Sequence, residues 1–435
     1  MQLLADTVTT IFENETENTD QRLTDEVQNL TQFITDYDRY LSVSRDGFRF
    51  RHHVGIVQTE NYTIQVLPKI WKSDPRGEKH AEGNLMKLLL YAFAPPRLNV
   101  PGTDVSLERS DLGLFDLLIR LYATSLEDQL SLGAYRRYTR RQEESRYLRG
   151  KLDMKKQTNE IDKSKFAIEY FRFSPDNDLN RFFAYATGVF RNLTRDTRNL
   201  EILSPIESML ASEEIVPANP NAKINFNRLN QRFEIPYTYG RIILDSLLIL
   251  PGRGKKAMMM LFDMNVVFER FFARFIERNQ GVIFAGMDLD EVSPQHSERN
   301  FIYNRKARSL RWTQPDLRVT AGGSTYIFDT KYKILRVPDI YENDDSNADE
   351  ISRISSGDLY QIFAYSELYN ALGTVLVFPG TENRVSEPYR FRKDGRLLWV
   401  YMLHLDLNEE GWEDKLAKEF KEHFRKIQDE SVQSV

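Results

Sequence analysis

Two acidic residues and a lysine stand at a spacing that allows metal-dependent hydrolysis. Asp316 begins one short predicted strand, a double-glycine turn reverses the chain, and the next strand ends in Asp329, Thr330 and Lys331. Because successive side chains of a strand alternate between its faces, Asp329 and Lys331 point the same way and Thr330 points into the opposite face. The predicted hairpin therefore brings Asp316 beside the other carboxylate and the lysine.

Paired carboxylates of this kind favour a divalent cation. Two carboxylates close together repel each other unless a positive charge lies between them. Mg²⁺ prefers carboxylate, carbonyl and water oxygens, so Asp316 and Asp329 are candidate ligands and the backbone carbonyl of Thr330 is a third. Lys331 would then help to deprotonate or orient an attacking water, or stabilise the charge that develops in the transition state. We therefore expect Mg²⁺ as the cofactor.

The order of these residues resembles a known nuclease motif. Pro315-Asp316, a spacer, and then Asp329-Thr330-Lys331 resemble the PD-(D/E)xK nucleases, whose acids hold Mg²⁺ and whose lysine assists the water. Gln361 and Tyr365 lie four residues apart on a predicted helix, so they share a face. This pair resembles the Gln-x-x-x-Tyr helix beside the active site of the RecB-like members, although packing of the helix on the sheet is an alternative role.

A further acid matches the same family by its position. Glu269 lies on an apolar helix predicted from Met258 to Asn279, and some family members contribute an acid from their first helix. A surface charge beside the apolar stripe Phe268–Phe275 is the alternative. The resemblance implies catalytic roles for Asp316, Asp329, Lys331, Gln361 and Tyr365, and metal ligation by Asp316, Asp329, Thr330 and Glu269.

A second resemblance covers most of the chain. The segments Val66–Ile70, Tyr147–Asp153, Leu179–Arg181 and 314–333 together resemble the McrC family, the nuclease subunits of McrBC-type modification-dependent restriction systems. The resemblance implies a Mg²⁺-dependent endonuclease that cleaves double-stranded DNA when assembled with a hexameric AAA+ GTPase of the McrB type. That partner would supply DNA recognition and GTP-driven translocation, and the chain would stimulate its GTPase. Residues 1–35 are an acidic extension beyond the family core.

The predicted fold class is α+β multidomain. Short alternating stretches between residues 40 and 68 predict a small N-terminal β-module, and a mostly helical region follows the basic segment. The order of helices and strands after residue 255 predicts an α/β sandwich of the PD-(D/E)xK, or restriction-endonuclease-like, type. The predicted domains are an adaptor for the AAA+ partner at 1–165, a helical connection at 166–254 and a nuclease domain at 255–435, with a hinge at Pro251–Gly254.

Charge is distributed unevenly, although the net charge is only −5. Residues 1–40 are strongly acidic, whereas residues 135–156 hold nine arginines and lysines. The basic run is either a solvated hairpin or a contact to the partner's pore or to DNA phosphates. The acidic loop 339–350 is more simply a solvated insertion than a second metal site.

Composition excludes several other classes. The chain has no cysteine, which excludes disulfides and thiolate metal sites, and its scattered histidines do not predict a zinc site. No apolar run approaches the roughly 18 residues of a membrane span, and no signal peptide is expected, so we expect a soluble, cytoplasmic protein without a membrane partner. No phosphate-binding GxxxxGK[ST] motif is present, so nucleotide hydrolysis is not expected of this chain.

Two other functions remain open from the sequence. One is an autonomous RecB-like DNA repair nuclease that needs no motor. The other is a non-catalytic adaptor that regulates an AAA+ motor and keeps the nuclease fold only as a scaffold. The clustered Asp316 and Asp329 disfavour the scaffold, which has no need of two adjacent carboxylates.

Overall fold

A computed structural model of the chain describes most of its residues. The described ranges are 7–14, 21–44, 47–59, 61–94, 113–159, 162, 164–213, 215–219, 224–250, 257–295, 299–303, 309–335, 350–392 and 395–433. The predicted hinge at Pro251–Gly254, nearly all of the acidic loop 339–350 and parts of the acidic N-terminal segment lie outside the described residues.

The secondary structure alternates between helices and strands along the chain. The strands are β1 Thr7–Phe12, β2 Leu41–Ser44, β3 Gly47–Phe50, β4 His53–Gln58, β5 Tyr62–Leu67, β6 Arg137–Ser145, β7 Lys151–Leu152, β8 Phe166–Ser174, β9 Leu247–Leu250, β10 Ala257–Asp263, β11 Leu289–Pro294, β12 Arg299–Tyr303, β13 Ser309–Thr313, β14 Leu317–Ala321, β15 Ser324–Thr330, β16 Gly373–Gly380, β17 Arg384–Val385, β18 Tyr389–Arg390 and β19 Leu397–His404. The helices are α1 Gln21–Thr31, α2 Glu78–Phe93, α3 Leu114–Ser131, α4 Met154–Asn159, α5 Asp178–Leu193, α6 Thr197–Ser212, α7 Glu234–Ser246, α8 Met264–Arg278, α9 Gln280–Ile283, α10 Ser356–Leu368 and α11 Trp412–Gln433.

Backbone contacts divide the chain into two compact units. The two-segment unit consists of Met1–Ser110 together with Leu248–Val435, and the inserted unit is Asp111–Leu247. This division differs from the predicted boundaries after residues 165 and 254, because the first 110 residues share a unit with the last 188. The functional roles assigned to the predicted domains stay predictions.

One five-stranded sheet joins the two ends of the two-segment unit. Its strand order is β1-β5-β4-β10-β9, and β10 runs antiparallel to β4 with Met260 opposite Ile56. The helix predicted from Met258 is therefore wrong in its first turns: residues Ala257–Asp263 form a strand, and α8 begins at Met264. Methionine favours helices in isolation, but pairing with β4 and burial of Met258–Met260 override that propensity.

The predicted N-terminal β-module is also corrected by this sheet. Strands β2 and β3 form a separate two-stranded hairpin, whereas β4 and β5 pair with each other and lie between β1 and β10. The module is thus not built from N-terminal residues alone. Its core includes Val57, Ile64 and Val66 together with Met259 from β10.

Helix α2 is bound to the C-terminal part of the same unit by buried polar contacts. The Asn84 side-chain oxygen accepts the backbone N–H groups of Leu407 and Asn408 at 2.8 and 3.1 Å. The ammonium of Lys87 donates to the carbonyl of Leu407 at 3.1 Å, and the indole of Trp71 donates to the carbonyl of Leu405 at 2.9 Å. These bonds connect residues more than 300 positions apart.

A second sheet carries the predicted site. Its order is β11-β14-β15-β16-β19-β17, with β18 paired to β19; β15, β16 and β19 are parallel, and β14 is antiparallel to β15. Helix α10 packs on one face, where Ile362 and Tyr365 meet Ile327. Helices α8 and α11 pack on the other face, where Phe272 and Phe420 lie against Phe328. The sheet is therefore covered on both faces, as expected for its parallel part.

The inserted unit combines a helical core with a small sheet. Helix α3 packs against α6 and α7, and α5 packs against both of these helices. The basic segment does not form a hairpin with itself: β6 and β7 both pair with β8, in the order β6-β8-β7. Among the described helices of the whole chain, none combines the length and the apolar character needed to cross a bilayer.

The division into units predicts how fragments fold. Residues 255–435 alone should fail to unfold cooperatively, because β10 loses its partner β4 and the surface that packs against α2 becomes exposed. Residues 111–247 alone should show one cooperative transition. Circular dichroism during thermal unfolding measures both.

A matched control keeps both segments of the two-segment unit. A chain in which residues 113–247 are replaced by a short glycine-serine linker should unfold cooperatively. A sharp transition for residues 255–435 alone would contradict the division.

Candidate active site

The two predicted acids meet at one end of the second sheet. Strand β14 pairs with β15 so that Leu317 lies opposite Phe328, which puts Asp316 next to Asp329 at the point where both strands reach the sheet edge. Strand β15 is flanked on its other side by β16, and every residue of β16 except the last is buried. The carboxyl ends of parallel strands commonly carry the binding site of such sheets.

Thr330 holds the first acid in place. Its backbone N–H and its hydroxyl both donate to Oδ2 of Asp316, at 2.7 and 2.6 Å. Two donors to one carboxylate oxygen fix the rotamer of Asp316 and leave its other oxygen for a further partner. Thr330 was predicted only as a source of a backbone carbonyl, so this positioning contact is an addition from the structure.

A chain of contacts runs from the second acid to helix α10. The ammonium of Lys331 lies 2.5 Å from Oδ2 of Asp329 and donates to the side-chain oxygen of Gln361 at 3.0 Å. The amide of Gln361 donates to the hydroxyl of Tyr365 at 3.0 Å, and this hydroxyl donates to the backbone carbonyl of Gln314 at 3.2 Å. The structure thus brings the predicted Gln361 and Tyr365 to the same edge as the acids.

Burial makes the acids hard to ionise without a cation. Asp329 is 1% exposed, and burial together with the charge of Asp316 raises its pKa from 3.8 to about 7. Burial also raises the pKa of Asp316, although the hydrogen bonds from Thr330 oppose that rise. Burial lowers the pKa of Lys331, but the charges of Asp329 and Asp316 outweigh this effect and leave its pKa above the ordinary value. Lys331 is therefore an ammonium ion here.

Glu269 reaches the site edge through a residue that the sequence did not single out. The carboxylate of Glu269 accepts from the side-chain amide of Gln295 at 2.6 Å, and the backbone N–H of Gln295 donates to the carbonyl of Asp316 at 2.9 Å. Burial and the charge of Asp316 raise the pKa of Glu269. Gln295 follows β11, whose half-exposed residues give little hydrophobic pattern, so only the observed pairing of β11 with β14 identifies it.

Asp358 is a second residue that sequence reasoning missed. Its carboxylate accepts from the hydroxyl of Ser355 at 2.7 Å and pairs with the ammonium of Lys333, and its charge contributes to the raised pKa of Asp329. Ser355 in turn caps the N-terminus of α10. The spacing Ser-x-x-Asp is a helix-capping pattern, and this pattern in the sequence could have identified Asp358.

The donor set fits a magnesium ion in part. Oδ2 of Asp329 is ion-paired with the ammonium of Lys331, but Oδ1 is buried and has no hydrogen-bond partner among the described residues. Such an oxygen needs a cation, and Mg²⁺ is commonly bound by one or two carboxylates while keeping several waters. Among the described residues no three histidine, aspartate or glutamate side chains converge on one point, so Glu269 does not complete a three-acid cluster with Asp316 and Asp329.

Comparisons with known proteins agree on one family. The family model described as McrBC 5-methylcytosine restriction system component matches residues 48–379. A chain from the half-complex of Thermococcus gammatolerans McrB AAA+ hexamers with bound McrC has a TM-score of 0.60, with 21% identity over 97% of this chain and 100% of that chain. A chain of the Thermococcus gammatolerans McrBC complex has a TM-score of 0.47, with 23% identity over 63% of this chain and 88% of that chain. No curated protein sequence matches this chain.

Fold and site define a multidomain α/β protein with an acid-and-lysine centre at a sheet edge. At these identities the structural likeness concerns the fold alone. The family match covers more than half of the sequence, and the chain therefore belongs to the McrBC family of restriction-system components, in agreement with the McrC resemblance of its motifs.

The paired acids predict how stability depends on pH without metal. Folding raises the pKa of Asp329 from 3.8 to about 7, so the folded state binds more protons than the unfolded state in that window. With a chelator present, the folded state loses stability as the pH rises from about 4 to about 7, because Asp329 then ionises beside Asp316. Asp316→Asn removes the neighbouring charge, so at pH values above about 7 its unfolding temperature should be about 2–4 °C higher than that of the wild type.

Magnesium should stabilise the wild-type chain but not Asp316→Asn. Saturating Mg²⁺ should raise the unfolding midpoint of the wild-type chain and leave that of Asp316→Asn nearly unchanged, because binding to the folded state alone stabilises it. Glu410→Gln, which removes an exposed acid, is the control and should behave like wild type. Equal pH profiles and equal Mg²⁺ shifts for wild type and Asp316→Asn would contradict the assigned site.

Proposed function

We propose that the chain is the DNA endonuclease subunit of a McrBC-like restriction complex, with a PD-(D/E)xK site that hydrolyses phosphodiester bonds with Mg²⁺. The observation that carries this proposal is the adjacent pair of the half-buried Asp316 and the buried Asp329, in which Oδ2 of Asp329 is paired with the ammonium of Lys331 and Oδ1 has no hydrogen-bond partner among the described residues. Family membership supports the restriction context. A scaffold protein would gain nothing from keeping two adjacent carboxylates buried, because they repel each other.

The residues divide the work of the reaction as follows. Asp316, Asp329 and the backbone carbonyl of Thr330 would hold Mg²⁺, which supplies positive charge to the phosphate and lowers the pKa of water. Thr330 fixes Asp316, as its two hydrogen bonds indicate. Glu269 stays a candidate for the metal shell, through bound water or after a change of its bond to Gln295.

Lys331 acts as a fixed cation in this proposal. Its pKa lies above the ordinary value, so it carries a proton and is not a base in the metal-free protein. A positive charge held beside the reacting phosphate stabilises the negative charge that grows in the transition state. Gln361 orients the ammonium of Lys331 by accepting its hydrogen bond, and Gln361 is itself oriented by its hydrogen bond to the hydroxyl of Tyr365.

The proposed partner is a hexameric AAA+ GTPase of the McrB type. The chain matches the McrBC family, and its fold is similar to that of a chain in the assembly of McrB hexamers with McrC. In this proposal the partner recognises double-stranded DNA and moves along it with GTP, while this chain cleaves and stimulates the GTPase.

We place the contact with the partner on the small sheet of the inserted unit. Tyr138 of β6 lies opposite Phe173 of β8, and Arg140 lies opposite Phe171, so all four share one exposed face. The rings of Tyr138 and Phe173 are 5.1 Å apart. Contiguous exposed aromatic side chains are uncommon on isolated proteins and mark interaction surfaces.

Intramolecular pairs occupy several arginines of the basic run. Arg136 pairs with Glu213 at 2.7 Å and Arg141 with Asp176 at 3.0 Å, while Arg140 pairs with Glu169. These arginines therefore already have acidic partners within the inserted unit. This favours the aromatic side chains, rather than the arginine charges, as the main contribution to docking.

Replacing the lysine tests the catalytic proposal. Lys331→Ala should reduce DNA cleavage by the assembled complex by at least about 100-fold, because the transition state loses a preorganised charge. Partner binding and GTP hydrolysis should stay near wild type. Gel-based cleavage and nucleotide-hydrolysis assays on the same preparation measure the three quantities.

Two comparisons sharpen this test. Lys418→Ala, at an exposed position of α11, is the matched control and should cleave normally. Cleavage by the purified chain with Mg²⁺ alone would favour the autonomous RecB-like nuclease. Normal cleavage by Lys331→Ala would exclude Lys331 from the chemistry, and the absence of any cleavage by the wild-type complex would favour the regulatory adaptor.

Truncating the aromatic face tests the docking proposal. The double variant Phe171→Ser and Phe173→Ser should weaken binding to the AAA+ partner by at least about 10-fold, the usual result of removing a central aromatic contact. Stimulation of the GTPase should fall in parallel. Phe33→Ser, at an exposed position in the other unit, is the control. Unchanged partner affinity in the double variant would place the interface elsewhere.

A further inference from the structure

Three polar side chains, two of them buried and one half-buried, lie together behind the candidate active site. Glu13 follows β1, Lys69 follows β5 and Tyr332 follows β15. The carboxylate of Glu13 is 4.0 Å from the ammonium of Lys69, and this ammonium lies 4.9 Å from the centre of the Tyr332 ring. Glu13 and Tyr332 are each only 1% exposed. The cluster therefore joins the N-terminal sheet to the residue that follows Lys331.

Burying these charged groups costs folding free energy, so the cluster must do more than stabilise the fold. Burial raises the pKa of Glu13, while burial lowers the pKa of Lys69, and each charge partly compensates the other. The Tyr332 hydroxyl and the backbone N–H of Lys69 both face the carboxylate of Glu13 and oppose the rise in its pKa that burial causes. Buried ion pairs usually contribute little net stability, and what they can contribute is a defined geometry.

The turn after β15 connects this cluster to the site. Side chains alternate across it: Lys331 points to Asp329, whereas Tyr332 points to the opposite side, with its ring 6.1 Å from that of Phe268. The backbone N–H of Lys331 donates to Val377, and the backbone N–H of Lys333 donates to the carbonyl of Lys331, both at 2.8 Å. A shift of Tyr332 would therefore move the backbone that carries the Lys331 side chain.

We propose that Lys69 and Glu13 are positioning residues for Lys331 and act through Tyr332. This inference rests on the proposed nuclease function, because it concerns the geometry of that same site. It gives the N-terminal segment Val66–Ile70 a role inside the nuclease centre. The N-terminal sheet is then a structural part of the active site.

Removing the positive charge of the cluster is the first test. Lys69→Met keeps most of the side-chain volume, and single-turnover cleavage by the assembled complex should fall about 10–100-fold, the usual result of small misplacement of a reacting group. The DNA concentration at half-maximal rate, partner binding and GTP hydrolysis should stay unchanged. Lys72→Met, at an exposed lysine three residues on, is the control and should cleave like wild type.

A chemical probe measures the position of Lys331 without any cleavage. Reductive methylation of the isolated full-length chain, read by mass spectrometry, reports the accessibility of each lysine ammonium. The Lys331 side chain is 15% exposed and bonded to Asp329 and Gln361, so it should react slowly in wild type and several-fold faster in Lys69→Met. The methylation rate can be measured even if the wild-type complex does not cleave DNA. The experiment therefore distinguishes failure of the positioning proposal from failure of the proposed nuclease function.

A double variant separates positioning from folding stability. Lys69→Met leaves Glu13 as an uncompensated buried charge, which destabilises the fold, whereas adding Glu13→Met removes both charges and should restore the unfolding midpoint. Positioning predicts that cleavage stays low and Lys331 stays reactive in this double variant. Wild-type cleavage and slow Lys331 methylation in a double variant of restored stability would overturn the proposal.

Discussion

The candidate site depends on the repulsion between two adjacent carboxylates, one buried and one half-buried. Asp316 and Asp329 share one ammonium, that of Lys331, so the pair keeps an excess negative charge when both are ionised. In water such repulsion would be weak, but the helices on both faces of the sheet exclude solvent. The same burial that raises the pKa of Asp329 makes a bound cation valuable. The helices that cover the sheet therefore determine how strongly the site would attract a cation.

Covering the sheet requires residues from distant parts of the sequence. Helix α2 is bonded to Leu407 and Asn408, and β4 pairs with β10, directly before the helix that carries Glu269. Among the described residues, no hydrogen bond or ion pair joins α2 or β4 to Asp316 or Asp329. Each fixes an element on which the site depends, and the N-terminal segment is therefore needed for the fold of the two-segment unit.

Local pattern predicted the centre of the site, whereas long-range pairing decided its surroundings. The hairpin of Asp316 and Asp329 and the helix of Gln361 and Tyr365 each lie within a short stretch whose periodicity is legible in one sequence. Gln295 comes to Asp316 only because β11 pairs with β14. The Met258 segment was predicted as helix, since nothing local reveals that β4, some 200 residues earlier, is its partner. The domain boundaries differ for the same reason.

In the proposed nuclease, the protonation states give a reason why the site would be inactive without a metal ion. With its pKa at about 7, Asp329 is partly protonated at neutral pH, and a divalent cation would have to displace that proton in order to bind. Lys331 keeps its own proton under the same conditions, because the acids raise its pKa. A cation that neutralised the acids would remove the charges that support this high pKa, and the pKa of Lys331 would fall. In the proposed nuclease, metal binding and the acidity of Lys331 would therefore be coupled through Asp329, and the contacts of Lys331 with Asp329 and Gln361 would position its ammonium beside the phosphate.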